Sequence, residues 1–216
     1  MRGVMREDRG ARVLVLPGAT LDESDDADLA RALIARDPQA PRALWRRFAP
    51  MVFRMLRRAL GPGHDVEDLA QEVFLCVFEK VPTLREPKAL KAFVISITVL
   101  TTRSELRRLW VRRWIRLSSK GDATSKAVVH VDTDAREALS RFYAVLDRIN
   151  AQDRTLFVLR FMEGLGLLEV AAASDLSLAT TKRRLARVWA KVILLVERDP
   201  VLSQYLSGNR DSESSS

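Results

Sequence analysis

Between residues 26 and 198 of this 216-residue chain, apolar side chains recur at helical spacing in nearly every segment, and strand-like alternation is almost absent. The stretch "HDVEDLAQEVFLCVFEKV", residues 64–81, shows the pattern well. Val66, Leu69, Ala70, Val73, Val77 and Val81 fall on one stripe, while Asp65, Asp68, Gln71, Glu72 and Glu79 occupy the other face. Proline and glycine supply the breaks. "RDPQAP" separates a helix at residues 26–36 from one at 41–60, and "GPGHD" stops the second before Asp65 caps a third over 64–81, with Asp68 at its third helical position. "REPKAL", with Pro87 near the first turn, opens a long helix over residues 86–117. A second set is expected at residues 135–149, 151–162, 167–174 and 178–197. The chain therefore reads as all-α.

Residues 118–134, "SSKGDATSKAVVHVDTD", carry no helical period and no aromatic residue, and they read as a flexible linker. The expected organisation is a flexible N-terminal arm (1–25, with one extended stretch at 13–16), a helical domain (26–117), the linker (118–134), a second helical domain (135–198) and a tail (199–216). The end of the tail, "SGNRDSESSS", is low in complexity and expected to be disordered.

With 47% hydrophobic residues the chain can bury one or two ordinary cores, and a formal net charge of +8 points to a polyanionic partner. One cysteine, Cys76, excludes an internal disulfide; it reads as a small buried or half-buried hydrophobe. Beside it, His64 and His130 assemble no metal-ligand spacing, so no metal or cofactor is expected. No catalytic motif or glycine-rich phosphate loop is visible, and the protein is not expected to be an enzyme. "VLVLPGA" is too short and poorly flanked for a signal peptide, and no apolar run would span a membrane; the reading is cytoplasmic and nucleoid-associated.

The positive charge is not evenly spread. Arg46, Arg47, Arg54, Arg57 and Arg58 precede the acidic helix, and Arg103, Arg107, Arg108, Arg112 and Arg113 follow it. An acidic stripe among such neighbours would be repelled by DNA, so it fits a basic protein while the flanking helices face nucleic acid. In the second half, "EGLGLLEVAAASDLSLATTKRRLARVW" has helix-turn-helix spacing: a short helix, the tight turn "SDLS" with Asp175 suited to a left-handed conformation, and a longer helix restarting at Ser177. Leu178, Thr181, Leu185, Val188 and Val192 form its inward stripe, which turns Lys182, Arg183, Ala186 and Ala190 outward with Arg184 and Arg187 on the flanks. A major groove accepts such a helix. Taken alone, "TTKRRLARV" fits a solvated basic face equally well.

In order, "RDPQAPRALWRRFAPMVFRMLRRALGPGHDVEDLAQEVFLCVFEKVPTLREPKALKAFVISI" and "LDRINAQDRTLFVLRFMEGLGLLEVAAASDLSLATTKRRLARV" resemble a bacterial RNA polymerase sigma factor of the extracytoplasmic-function type. The resemblance covers most of residues 26–198. It implies a protein that binds core RNA polymerase and directs promoter-specific initiation by positioning rather than chemistry. It places Asp68, Gln71 and Glu72 in the polymerase contact. It places Ser177, Thr180, Lys182, Arg183, Arg184 and Arg187 on the upstream promoter element, and Arg103, Arg107, Arg108 and Trp110 on the downstream one. An anti-sigma protein is a further implied partner. Two alternatives stand beside this reading: a helix-turn-helix regulator, and a sigma-like adaptor that does not open promoters.

The long helix departs from the family. Phe93 stands where tryptophan is common, Ile95 where tyrosine is common and Leu100 where asparagine is common, and Ser104 and Glu105 replace an aspartate and a histidine. Aliphatic Ile95 and Leu100 supply neither the hydrogen bonds nor the stacking area with which a flipped base is captured. Trp110 and Trp114 could offer stacking faces instead; the plainer expectation is that they continue the Leu106 stripe and pack against a neighbouring helix.

Overall fold

The computed structural model describes residues 25–118 and 133–205, and every regular element among them is helical. The helices are α1 (Asp26–Ile34), α2 (Ala40–Leu60), α3 (Glu67–Lys80), α4 (Leu90–Ser118), α5 (Thr133–Leu146), α6 (Ala151–Phe157), α7 (Leu167–Ala173) and α8 (Leu178–Glu197). Short 3-10 turns at Val81–Thr83 and Pro87–Ala89 join α3 to α4, and a π-helical turn, Val158–Met162, follows α6 where an uninterrupted α-helix was expected. The stretch at 13–16, residues 119–132 of the expected linker and the "SGNRDSESSS" segment lie outside the described residues.

Side-chain caps start several helices. Asp25 accepts from the Asp28 amide at 2.7 Å, Asn150 from Asp153 at 2.9 Å and Ser177 from Thr180 at 3.2 Å, each satisfying an amide that the helix itself leaves open. The third helix begins differently from expectation. Val66 is its N-cap, and the Asp65 carboxylate accepts from the Glu67 amide at 3.0 Å in a turn just before it. The reason is local: Asp65 bonds two residues on, which makes an Asx turn rather than a cap.

Two clusters of buried side chains form the interior. The first joins α1 to α4 through Leu29, Leu44, Val52, Val73, Val77 and Val94. The second gathers Leu146, Leu156, Val170, Leu185, Val188 and Val192 from the C-terminal helices. It also takes in Met55 of α2 and Ile95 and Val99 of α4, so the two halves share a packed face. Residues 200–205, expected to belong to the tail, are helical; Asp199 caps them through the Val201 and Leu202 amides, and Leu202 is buried in the second cluster. One leucine placed to complete that core extends the domain past the expected boundary.

The shared face is polar as well as apolar. At the end of α2, the one Tyr143 hydroxyl hydrogen is shared between the Arg57 and Arg58 carbonyls, at 3.4 and 3.3 Å, and the Arg154 guanidinium donates to the Ala59 and Leu60 carbonyls at 2.7 and 3.2 Å. Arg154 is buried, and the Asp147 carboxylate accepts another of its N–H groups. Burial pulls the Arg154 pKa downward while Asp147 pulls it back up; a guanidinium stays charged across the ordinary range. Gly61 turns the chain away from α2 at φ 95°, and a Cβ there would stand 2.7 Å from the Tyr143 ring. Both the left-handed backbone and the ring require glycine.

Two expectations follow. Asp175, in the turn before α8, has φ 53°. Asp175→Gly should leave stability equal or slightly raised and Asp175→Val should cost about 1–2 kcal/mol in chemical denaturation, because a β-branched residue resists this backbone region. His64 sits beside the α2 cap with its pKa lowered from 6.5, first by partial burial and then by Arg154; Arg112 adds to the effect, and Asp147 and Glu105 oppose it. The folded chain then binds fewer protons at His64 than the unfolded chain, so its contribution is fully present above pH 6.5 and is lost as pH falls below that value. The thermal midpoint should decline on acidification through this window, and His64→Asn should flatten the decline.

Candidate nucleic-acid interface

The acidic face of α3 is built as its periodicity requires. Val66, Ala70, Val73 and Val77 are buried against the first core, which leaves Asp68, Gln71 and Glu72 exposed together on the opposite side. Glu67 and Asp68 lie in the first turn, where carboxylates interact favourably with the helix dipole. Leu75, one turn beyond Gln71, is 62% exposed and adds an apolar element that the sequence reading left out. Cys76 is half-buried, as expected.

The C-terminal part of α4 carries the downstream candidates. Arg107, Arg108 and Trp110 are exposed, whereas Arg103 is partly buried and its pKa is pushed down, first by that burial and next by the positive charges of Arg107 and Arg184, with Asp175 opposing. Glu105 pairs with Arg108 at 3.5 Å and with Arg112, so part of the positive charge here is balanced within the helix. Trp110 and Trp114 do not pack beneath a neighbouring helix. They are 55% and 62% exposed with ring centroids 6.3 Å apart, because this stretch of α4 runs beyond both cores. An open groove of about 480 Å³ lies between Arg103, Arg107, Trp110 and Val111 on α4 and Asn150, Ala151 and Gln152 at the start of α6.

In the C-terminal half, α7 and α8 pack against each other across the turn containing Asp175, whose left-handed conformation was anticipated. Lys182, Arg183 and Arg187 are exposed along α8. Arg184 is partly buried and pairs with Asp153 of α6 at 3.4 Å, which ties it to the scaffold. Ser177 and Thr180 engage each other at the helix start, hydroxyl to hydroxyl at 2.9 Å. The inward stripe holds for Thr181, Leu185, Val188 and Val192, but Leu178 is 36% exposed, since the first turn of α8 projects past the second core. Farther along, Trp189 lies against Phe161 with centroids 4.6 Å apart, and both rings remain partly exposed.

Two groups expected to meet separate promoter elements are neighbours here: Arg103 of α4 lies within electrostatic reach of Arg184 and Asp175. The sequence reading did not include Arg154, Tyr143, Asp147 or Glu163. Glu163 has a side chain only 4% exposed and pairs with Arg54 and Arg58 of α2 at 3.0 and 3.1 Å. No helix among the described residues is long and apolar enough to cross a membrane.

Comparison with known proteins bears on the family and the fold. The family described as Sigma-70 region 2 matches residues 44–115, which run from α2 through most of α4. The chain is 28% identical over 180 residues to the ECF RNA polymerase sigma factor SigE of Mycolicibacterium smegmatis, spanning 77% of this chain and 67% of that one. It is 32% identical over 128 residues to the RNA polymerase sigma factor SigV of Bacillus subtilis, spanning 57% and 70% respectively. Among solved structures, CnrH in complex with the cytosolic domain of CnrY shares the fold at TM-score 0.58 and 21% identity, over 81% of this chain and 98% of that one. The sigma factor RpoE in complex with the anti-sigma factor NepR, from Bartonella quintana, does so at 0.52 and 22%, over 71% and 96%. The chain belongs to the sigma-70 family, in its extracytoplasmic-function group, and is a sigma factor that directs transcription initiation.

Proposed function

We propose that the labour of this sigma factor is divided among three surfaces: α3 docks core polymerase, the C-terminal part of α4 faces the downstream promoter element, and α8 reads the upstream one. The observation that carries this reading is the exposed acidic face of Asp68, Gln71 and Glu72, set among arginine-rich helices. Carboxylates repel DNA and attract a basic protein, so this face and its neighbours must serve different partners. Trp110 and Trp114 offer stacking area that Ile95 and Leu100 lack, which moves single-strand contact toward the end of α4. On α8, Arg183 follows the turn closely enough to reach base edges, while Arg187, one turn on, meets a phosphate strand. In this reading residues 118–134 tether two modules, one over 26–117 and the other from 135 onward, and the protein acts in the cytoplasm on nucleoid DNA without catalysis of its own. An anti-sigma protein is a fitting regulator, since RpoE, which shares the fold, is held by one.

The decisive experiment adds the purified chain to sigma-free core polymerase on a promoter library. Start-site-specific RNA is the expected product, and polymerase binding without RNA would reduce the chain to an adaptor. In the same assay Asp68→Lys with Glu72→Lys should abolish core pull-down and leave the thermal midpoint nearly unchanged, because exposed charges contribute little to folding. Undiminished pull-down rejects the docking face.

The α8 assignment has its own test. Arg183→Ala should lose about 1–3 kcal/mol on a selected upstream duplex and relax discrimination there. Arg187→Ala should weaken selected and scrambled duplexes alike and lower the salt dependence by roughly one phosphate contact. Parental binding by both variants in a salt titration would remove α8 from the reader's role.

A further inference from the structure

The arginines along α4 divide into two kinds. Arg108 and Arg112 pair with Glu105, and Arg113 pairs with Asp147. Arg103 and Arg107 make no ion pair among the described residues, and they are the two that line the open groove of about 480 Å³. They stand one turn apart on the same face of the helix. Trp110 follows within a turn, lines the same groove and is 55% exposed. Across from them the Asn150 amide is already engaged with Asp153, while the Gln152 amide makes no hydrogen bond among the described residues. A cavity of this size with a few convergent polar groups falls within the ordinary range of small-molecule sites, about 300–1,000 Å³.

The groove sets out what its occupant must carry: a compact anion at one end and a flat ring at the other. Positions 103 to 110 span about 10 Å along the helix axis, the length of a single nucleotide. Charge decides what kind of nucleotide. A phosphodiester inside a strand carries one negative charge, whereas a terminal phosphate monoester carries about −1.5 to −2 near neutral pH and matches two guanidinium groups. Arg103 is partly buried, which strengthens a charge-assisted hydrogen bond made there.

We propose that this groove is a binding site for a free nucleoside monophosphate, with its phosphate between Arg103 and Arg107, its base against the Trp110 ring and the Gln152 amide at its polar edge. The claim goes beyond the promoter contacts assigned above. Its ligand is a small molecule, and its binding to the free chain does not depend on those contacts.

Isothermal titration calorimetry on the full chain tests it with the 5′-monophosphates of adenosine and cytidine, with adenosine, with inorganic phosphate, and with a deoxyadenosine dinucleotide whose sole phosphate is an internal diester. One monophosphate should bind per chain, and adenosine, phosphate and the dinucleotide should each bind at least about tenfold more weakly than adenosine monophosphate. Arg103→Gln, Arg107→Gln and Trp110→Ala should each weaken the monophosphate about tenfold. Arg112→Gln, which removes a guanidinium already paired with Glu105 outside the groove, should bind as the parent does. Failure of both monophosphates to saturate the chain below about 1 mM overturns the site. Equal affinity for the dinucleotide overturns the terminal-phosphate assignment and leaves the groove to a strand. Parental binding by both groove arginine variants, or an equal loss in Arg112→Gln, overturns the placement, since the first puts the nucleotide elsewhere and the second reduces it to diffuse attraction. Should Arg103→Gln lose its helical signal, Arg107 and Trp110, both exposed, decide alone.

Discussion

The last turn of α2 is the point on which the arrangement of the molecule depends. A helix leaves its final carbonyls without intrahelical partners, and a buried carbonyl left open carries a desolvation cost. Here the Gly61 amide donates to the Arg57 carbonyl at 2.9 Å, the single Tyr143 hydroxyl hydrogen lies between the Arg57 and Arg58 carbonyls, and the Arg154 guanidinium donates to those of Ala59 and Leu60. Gly61 makes this possible by turning the chain at φ 95° and leaving room for the tyrosine ring. A C-cap is usually a local matter, settled within a few residues by a Schellman or left-handed motif. In this chain the local bond from Gly61 is joined by long-range donors to the carbonyls that follow, so the end of one helix helps specify where the second half sits.

The electrostatics of that contact favour specificity over strength. A buried guanidinium is costly to desolvate, and its pairing with Asp147 and two carbonyls offsets the cost without leaving a large surplus. Deleting one partner would strand the other, which makes the contact sensitive to change while its net contribution stays modest. Arg113 adds a second, more exposed pair to Asp147, and Glu163 pairs with two arginines that are each about half exposed. Exposed partners contribute little to stability. The joint is thus held by two buried ions, Arg154 and Glu163, whose partners are more exposed, over an apolar patch that includes Met55, Ile95 and Val99.

Much of the fold was legible in the sequence, for reasons that can be named. The α3 stripe predicted burial of Val66, Ala70, Val73 and Val77 because a 3.6-residue period leaves one solution for an amphipathic helix beside a core. The turn at Asp175 was legible because few non-glycine residues tolerate a left-handed backbone. Arg154 was not legible. In "NAQDRTLF" it looks like any arginine on the first turns of a helix, and its partners lie about ninety-five positions away in backbone carbonyls, which carry no sequence signature. Ile95 was noticed as a departure from the family and given no purpose, because the core it joins comes from residues beyond the expected linker. Leu178, Trp110, Trp114 and Leu202 were misplaced on related grounds: periodicity says which side of a helix is apolar, but not where along its length the neighbouring helices end.

The packing of the two halves leaves apart two surfaces that a bare charge pattern would set against each other. Asp68, Gln71 and Glu72 are exposed, and α3 packs on α2 and α4 while α6 and α7 pack on α4. The packing of the two halves therefore leaves the proposed docking face uncovered. Ile95 and Val99 are buried in the second core. Arg103 and Arg184, expected to meet different promoter elements, lie within electrostatic reach of each other, with Asp175 opposing in sign and Asp153 paired to Arg184 at 3.4 Å. A polyanion that took up both charges would relieve that repulsion. On the proposed assignment each partner therefore meets a different surface, the polymerase the acidic face of α3 and nucleic acid the basic groups of α4 and α8.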